Sequence, residues 1–157
     1  QIEAMTLARR VAILERGVLQ QLATPAEIYN NPANLFVAQF IGSPPPNVLQ
    51  GALEGKNFLN NGAKIATPVS GRIAKAVLGV RPEDCSVVAP EKGGIKGEIY
   101  ATELIGDHTL VTLKAGSDLL TVKAAKDFTA RLGEKAGVAF ISDRLFVFDE
   151  SNGLRVR

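Results

Sequence analysis

Apolar and polar positions along the chain follow one rhythm up to residue 43 and a different one beyond it. Ile2, Met5 and Leu7 stand among good helix formers and read as the end of a helix within residues 1–10. Short apolar runs at 11–14 and 18–22 flank Glu15, Arg16 and Gly17, a connection of hairpin length with Gly17 where positive φ is needed. Thr24, Pro25 and Glu27 have the spacing of a capping box with proline at the first helical position, and Asn30, Asn31 and Pro32 stop that helix. Asn34 is placed to cap a second short helix. Its Phe36, Val37, Phe40 and Ile41 share one face, and Gly42 stands where a C-terminal cap belongs.

Ser43 is followed by three prolines, which cannot continue a helix, so a domain boundary is placed here, with 1–43 as one unit and 44–157 as another. Past it, β-branched residues come in short runs broken by Gly, Pro, Asn and Asp. The pattern predicts strands at 48–53, 58–59, 64–66, 76–80, 85–88, 95–104, 109–113, 119–122, 138–141 and 145–148. In the seventh of these, Val111 and Leu113 alternate with Leu110, Thr112 and Lys114, as in a strand with a drier and a wetter face. The fold class expected is mainly β: short antiparallel strands in an OB-like barrel or a pair of barrel-like halves, because closure removes exposed edges, preceded by a small α/β unit.

Composition narrows the function classes. With 46% hydrophobic and 22% charged residues the chain can bury a core, and a formal charge of +2 is too small for the basic surface of a nucleic-acid binder. The absence of Trp and the presence of only two Tyr argue further against a single-strand binder. One cysteine, Cys85, cannot close an intramolecular disulfide, which fits a reducing compartment, so a cytoplasmic location is expected. No apolar run approaches the roughly 20 residues of a membrane-spanning helix. Membrane contact, if any, is therefore expected to go through a partner.

The search for chemistry finds little. His108 is the lone histidine, and residues 105–109 read as a turn between strands with His108 facing solvent. No glycine-rich loop ends in Gly-Lys followed by Ser or Thr, so nothing cradles a triphosphate, and no serine elbow is present. Glu83-Asp84 and Asp149-Glu150 read as solvated loop charges. No catalytic residue, cofactor or metal ligand is assigned. One motif stands out: the apolar strand at 78–80 runs into Arg81, Pro82 and Glu83. Pro82 ends the ladder, and Arg81 either pairs with a carboxylate or stacks across the barrel mouth, or else contacts a ligand or partner chain.

At this point the residues resemble a family. Residues 1–8, Val11 to Gly17, Thr24 to Tyr29, Asn31-Pro32 and Phe36 to Ser43, in that order, resemble the ATPase subunits of carbohydrate-type ABC importers, among them the maltose and glycerol-3-phosphate importers. Gly79 to Glu83, Glu103 to Gly106, Arg144 to Asp149 and Asn152-Gly153 are similar to that family's transport-associated OB (TOBE) domain. The resemblance implies a C-terminal part of such a subunit, with Arg81, Pro82, Glu83 and Gly106 as candidate structural or partner contacts. It implies that the phosphate loop, signature motif and catalytic residues lie upstream of Gln1, so that ATP and Mg belong to the parent subunit and no cofactor to these residues. The partners implied are a second copy through the C-terminal domain, the membrane-spanning importer subunits through the ATPase domain, and a regulatory protein in some members. The implied location is the inner face of the cell membrane. Residues 2–22 are expected to cover their apolar faces with another copy of the chain. The competing reading is a free-standing OB-type module for a small ligand or oligosaccharide.

Overall fold

The computed structural model describes residues 2–157; Gln1, read as part of the first helix, lies outside the described residues. The N-terminal segment forms α1 (Ile2–Leu7), the antiparallel pair β1 (Val11–Glu15) and β2 (Val18–Ala23), α2 (Pro25–Asn30) and α3 (Leu35–Phe40). The hairpin turns through Arg16 at φ 50° and Gly17 at φ 80°. Positive φ at both central residues matches the twist of the flanking strands. Thr24 and Glu27 form the reciprocal capping box, and the Asn34 side chain accepts from the Val37 N–H. Along β1 the inward positions Val11 and Ile13 are buried with Ile28, Val37 and Ile41, while Ala12 and Leu14 face out.

Residues 41–46 carry no regular element, and the chain then enters a long hairpin of β3 (Asn47–Asn60) and β4 (Ala63–Val80). The four short strands expected between 48 and 80 are thus two long ones. Register shifts at Gly51/Leu53 and Gly55/Asn57, the latter with Gly55 at φ 62°, let the ladder bend without ending. Residues 67–70 have no ladder partner, which is where Pro68 can sit without costing a hydrogen bond. β10 (Phe146–Asp149) pairs with the other edge of β4, giving a three-stranded sheet in the order β10-β4-β3.

The second sheet has five antiparallel strands, ordered β5 (Cys85–Val88), β9 (Lys135–Phe140), β6 (Ile95–Ile105), β7 (His108–Ala115) and β8 (Asp118–Ala125). The expected β class stands, but no barrel closes: the strands divide between two open sheets that share one core. Leu53, Phe58 and Leu78 of the first sheet meet Ile99, Val111, Leu113 and Val122 of the second there. The alternation read in β7 is the observed one, with Val111 and Leu113 buried and Lys114 exposed. Asn47 ties the sheets: its Nδ2 donates to the Thr121 carbonyl (2.8 Å) and its Oδ1 accepts from the Thr121 N–H (2.7 Å).

The end of β4, residues 76–80, and β10 are buried on both faces. Leu78 and Val147 point into the shared core, while Val77, Phe146 and Phe148 pack under Ala38 and Leu35 of α3. A strand covered on both sides has no wet face, so residues 76–80 run apolar without alternation.

Candidate functional site

The double burial of β4 delivers the next residue into the N-terminal segment. Pro82 has no N–H for a ladder and opens a single 3-10 turn, Pro82–Asp84, in which the Arg81 carbonyl accepts from the Asp84 N–H at 2.9 Å. The Arg81 side chain leaves the sheet and is only 2% exposed. Its Nη1 donates to the Ile41 carbonyl (2.9 Å) and its Nη2 to the Tyr29 carbonyl (2.8 Å). Both acceptors lie at helix C-terminal ends, Tyr29 in the last turn of α2 and Ile41 capping α3. Such carbonyls lack intrahelical partners and favour a cation. The guanidinium carbon lies 3.8 Å from the Tyr29 ring centroid, a stacked cation–π contact. Glu83 accepts a hydrogen bond from the Tyr29 hydroxyl. One turn therefore holds Tyr29 by its carbonyl, its ring face and its hydroxyl.

A second arginine reaches the same place from the C-terminal end. The Arg155 Nη1 donates to Asn31 Oδ1 (2.9 Å) and the Pro32 carbonyl (3.3 Å), and its guanidinium carbon is 4.8 Å from the Phe146 ring. Backbone bonds from Leu35 N–H to the Gly153 carbonyl and from Arg155 N–H to the Ala33 carbonyl stitch the tail to the N-terminal segment. Between the two arginines lies a cavity of about 120 Å³, lined by Tyr29, Arg81, Asp84, Arg144, Phe146 and Arg155 among others. Burial pushes the Arg81 guanidinium down to about 10, with Asp84 acting in the opposite direction. Burial also lowers Arg155 to about 10, and Arg157 adds to the effect. The Asp84 carboxyl is raised by its own burial, partly offset by Arg144 and then Arg81.

Of the sequence candidates, Arg81, Pro82 and Glu83 meet at this joint. Gly106 does not. It sits at φ 58° in the turn between β6 and β7, with nothing within 4 Å of where a Cβ would project, and its role is to make that turn. His108 opens β7 with a side chain only 19% exposed, against a carboxylate oxygen of Asp107 at 2.6 Å, so it does not face solvent as expected. Glu83-Asp84 is likewise more than a pair of solvated loop charges, since Glu83 is bonded to Tyr29 and Asp84 is half-buried. Sequence reasoning missed Arg155 altogether. Third from last in the chain, it carries no local signal of what it touches.

Residues 78–148 match the TOBE domain family, so Arg81, Asp84 and Phe146 all lie within the matched stretch. Residues 78–148 are a TOBE domain. The match extends further: the chain is 37% identical over 163 residues, 99% of its length, to the sn-glycerol-3-phosphate import ATP-binding protein UgpC of Escherichia coli O157:H7. It is 36% identical to UgpC of Escherichia coli strain K12, again over 99% of its length. It is 33% identical over its whole length to the ABC transporter ATP-binding protein YcjV of Escherichia coli O157:H7. The chain is thus similar over nearly its whole length to ABC transporter ATP-binding proteins, and it spans about half (46%) of the length of these curated relatives. Among solved structures, the cytoplasmic molybdate-binding protein ModG shares the fold, with a TM-score of 0.55 and 15% identity over 64% of this chain and 94% of that one. The Arg81 joint links the TOBE domain to the segment before it. Among the described residues no helix is long and apolar enough to cross a membrane.

Proposed function

We propose that this chain is the C-terminal regulatory part of an importer's ATP-binding subunit, with the unit boundary near residue 43 and the TOBE-bearing unit pairing with its counterpart in a second subunit. One observation carries the reading: similarity to UgpC at 36–37% identity covers both the N-terminal segment and the TOBE domain. In this reading the parent subunit hydrolyses ATP to drive import of a sugar or related solute through membrane-spanning partners on the inner face of the membrane. ATP and Mg are bound by the parent outside the residues present here. The paired C-terminal units hold two subunits together while their ATPase halves separate, raising the effective concentration of each for the other.

Exposed apolar side chains on the TOBE domain, Leu104, Ile105 and Leu119, supply surface for such pairing. Leu14, Val18, Leu19 and Leu22 do the same on the N-terminal hairpin, either for another copy or for the remainder of the subunit. Sedimentation equilibrium across the micromolar range tests the pairing. A reversible dimer is expected, and it should dissociate when Leu104 and Leu119 are changed to Asp. A chain that stays monomeric throughout excludes pairing through this unit.

A further inference from the structure

Arg81 and Arg155 share a property that no contact inside the fold resolves. The Nε–H of each is buried with no acceptor, and these are the only such side-chain atoms among the described residues. Their remaining partners are all neutral: the carbonyls of Ile41, Tyr29 and Pro32, and the Asn31 side-chain amide. Among the described residues the only ion pair within 4 Å is Asp107 with His108, so neither guanidinium has a carboxylate in contact. A buried cation with no carboxylate in direct contact is costly, and an unaccepted buried donor adds to that cost. Both side chains line the same cavity of about 120 Å³.

We propose that this cavity is a binding site for a small carboxylate monoanion, which accepts hydrogen bonds from Arg81 and Arg155 and so bridges the TOBE domain, the C-terminal tail and the N-terminal segment. A carboxylate is planar and accepts from two N–H donors at once, which matches two guanidinium groups facing one space. The charges favour a monoanion over a dianion. Three arginines, Arg81, Arg144 and Arg155, line the cavity against three carboxylates, Glu83, Asp84 and Asp143, and repulsion from those carboxylates grows with the charge of the guest, so sulfate or phosphate is disfavoured more than a carboxylate. The size selects a short acid, since a cavity of about 150 Å³ holds one benzene. The Tyr29 and Phe146 rings supply an apolar wall for its carbon end. Occupancy would fasten the two segments and make their relative position depend on the ligand. This goes beyond the pairing role proposed above and does not depend on it.

Side-chain Nε–H resonances of the 15N-labelled chain, titrated with sodium acetate at constant ionic strength, test the site. The Arg81 and Arg155 signals are expected to move saturably, with acetate binding at least about tenfold tighter than sulfate, phosphate or chloride. Because Arg81 also holds the joint, the informative variant is Arg155→Lys, which keeps the charge but removes that Nε–H. It should weaken acetate binding at least about tenfold while the backbone amide spectrum stays folded. Signals that do not move, that move equally in chloride, or that saturate more tightly with sulfate or phosphate overturn the proposal. Unchanged acetate affinity in the Arg155→Lys chain overturns it too.

Discussion

Arg81 and Tyr29, fifty-two positions apart, are joined twice: the guanidinium donates to the Tyr29 carbonyl at 2.8 Å and stacks on its ring at 3.8 Å. The strand that ends at Val80 is thereby pinned to the helix that ends at Asn30. This contact sets the orientation of the N-terminal segment on the TOBE domain, together with the apolar contact of Ala38 with Phe146 and Phe148.

Replacing Arg81 with Met keeps much of the apolar stem and removes both donated bonds and the stacked charge. A loss of about 3 kcal/mol is expected, because two helix-end carbonyls lose a charged donor. Urea unfolding followed by far-ultraviolet circular dichroism measures it. The N-terminal segment should also become cleavable by trypsin at Arg9, Arg10 and Arg16 before the TOBE domain is.

Asn47 accepts from and donates to the backbone of Thr121, which lies across the gap between the two sheets. Asn47→Ala leaves the Thr121 N–H and carbonyl without that partner, and a loss of about 2 kcal/mol is expected. The urea midpoint should fall with little change in slope.

Two glycines separate close approach from turn geometry. A Cβ on Gly51 would come within 2.0 Å of the Leu59 carbonyl oxygen, backbone that cannot move aside, so Gly51→Ala should prevent the β3–β4 hairpin from forming as observed. Gly106→Ala meets nothing within 4 Å and costs only the left-handed conformation, about 1 kcal/mol. Thermal melts of the two variants should differ accordingly. A soluble, fully folded Gly51→Ala chain of wild-type stability contradicts the hairpin register.

The Cys85 thiol has a distinct alkaline signature. Burial pushes it up to about 12 from its ordinary value near 9, while the Asn47 side chain acts the other way. The unfolded chain releases this proton first as pH rises, so the thiol's contribution is intact below pH 9 and is lost on the way to 12. Arg81 and Arg155, lowered to about 10, act in the opposite sense above that pH, which leaves the interval from 9 to 10 as the clean one. Over that interval the wild-type chain should lose about 1 kcal/mol more stability than Cys85→Ala, read from urea midpoints at each pH.

Much of the local structure was legible. The capping box of Thr24 and Glu27, the Asn34 cap and the Arg16-Gly17 turn depend on side chains within a few positions of the backbone they bond, and each forms where its residues predict. Strand continuity was not legible. Gly55 and Pro68 read as breaks, yet one occupies a bulge and the other an unpaired stretch of a strand that carries on. Barrel closure was misjudged because which edges find partners depends on pairings between residues as distant as Ala76 and Asp149. At the joint, Arg81, Pro82 and Glu83 were visible as a motif at a strand end, but Tyr29 and Arg155 were not visible as their company.

Composition, periodicity and turn chemistry by themselves determined the β class, the helical entry segment and the placing of Arg81 at the end of an apolar strand. These rest on interactions among neighbours in the chain. Only the tertiary structure decided that Arg81 is buried against two helix ends, that Arg155 joins it from the far terminus, and that both leave an Nε–H without an acceptor. Such outcomes follow from the desolvation of groups brought together over forty positions or more, and no local pattern encodes that proximity.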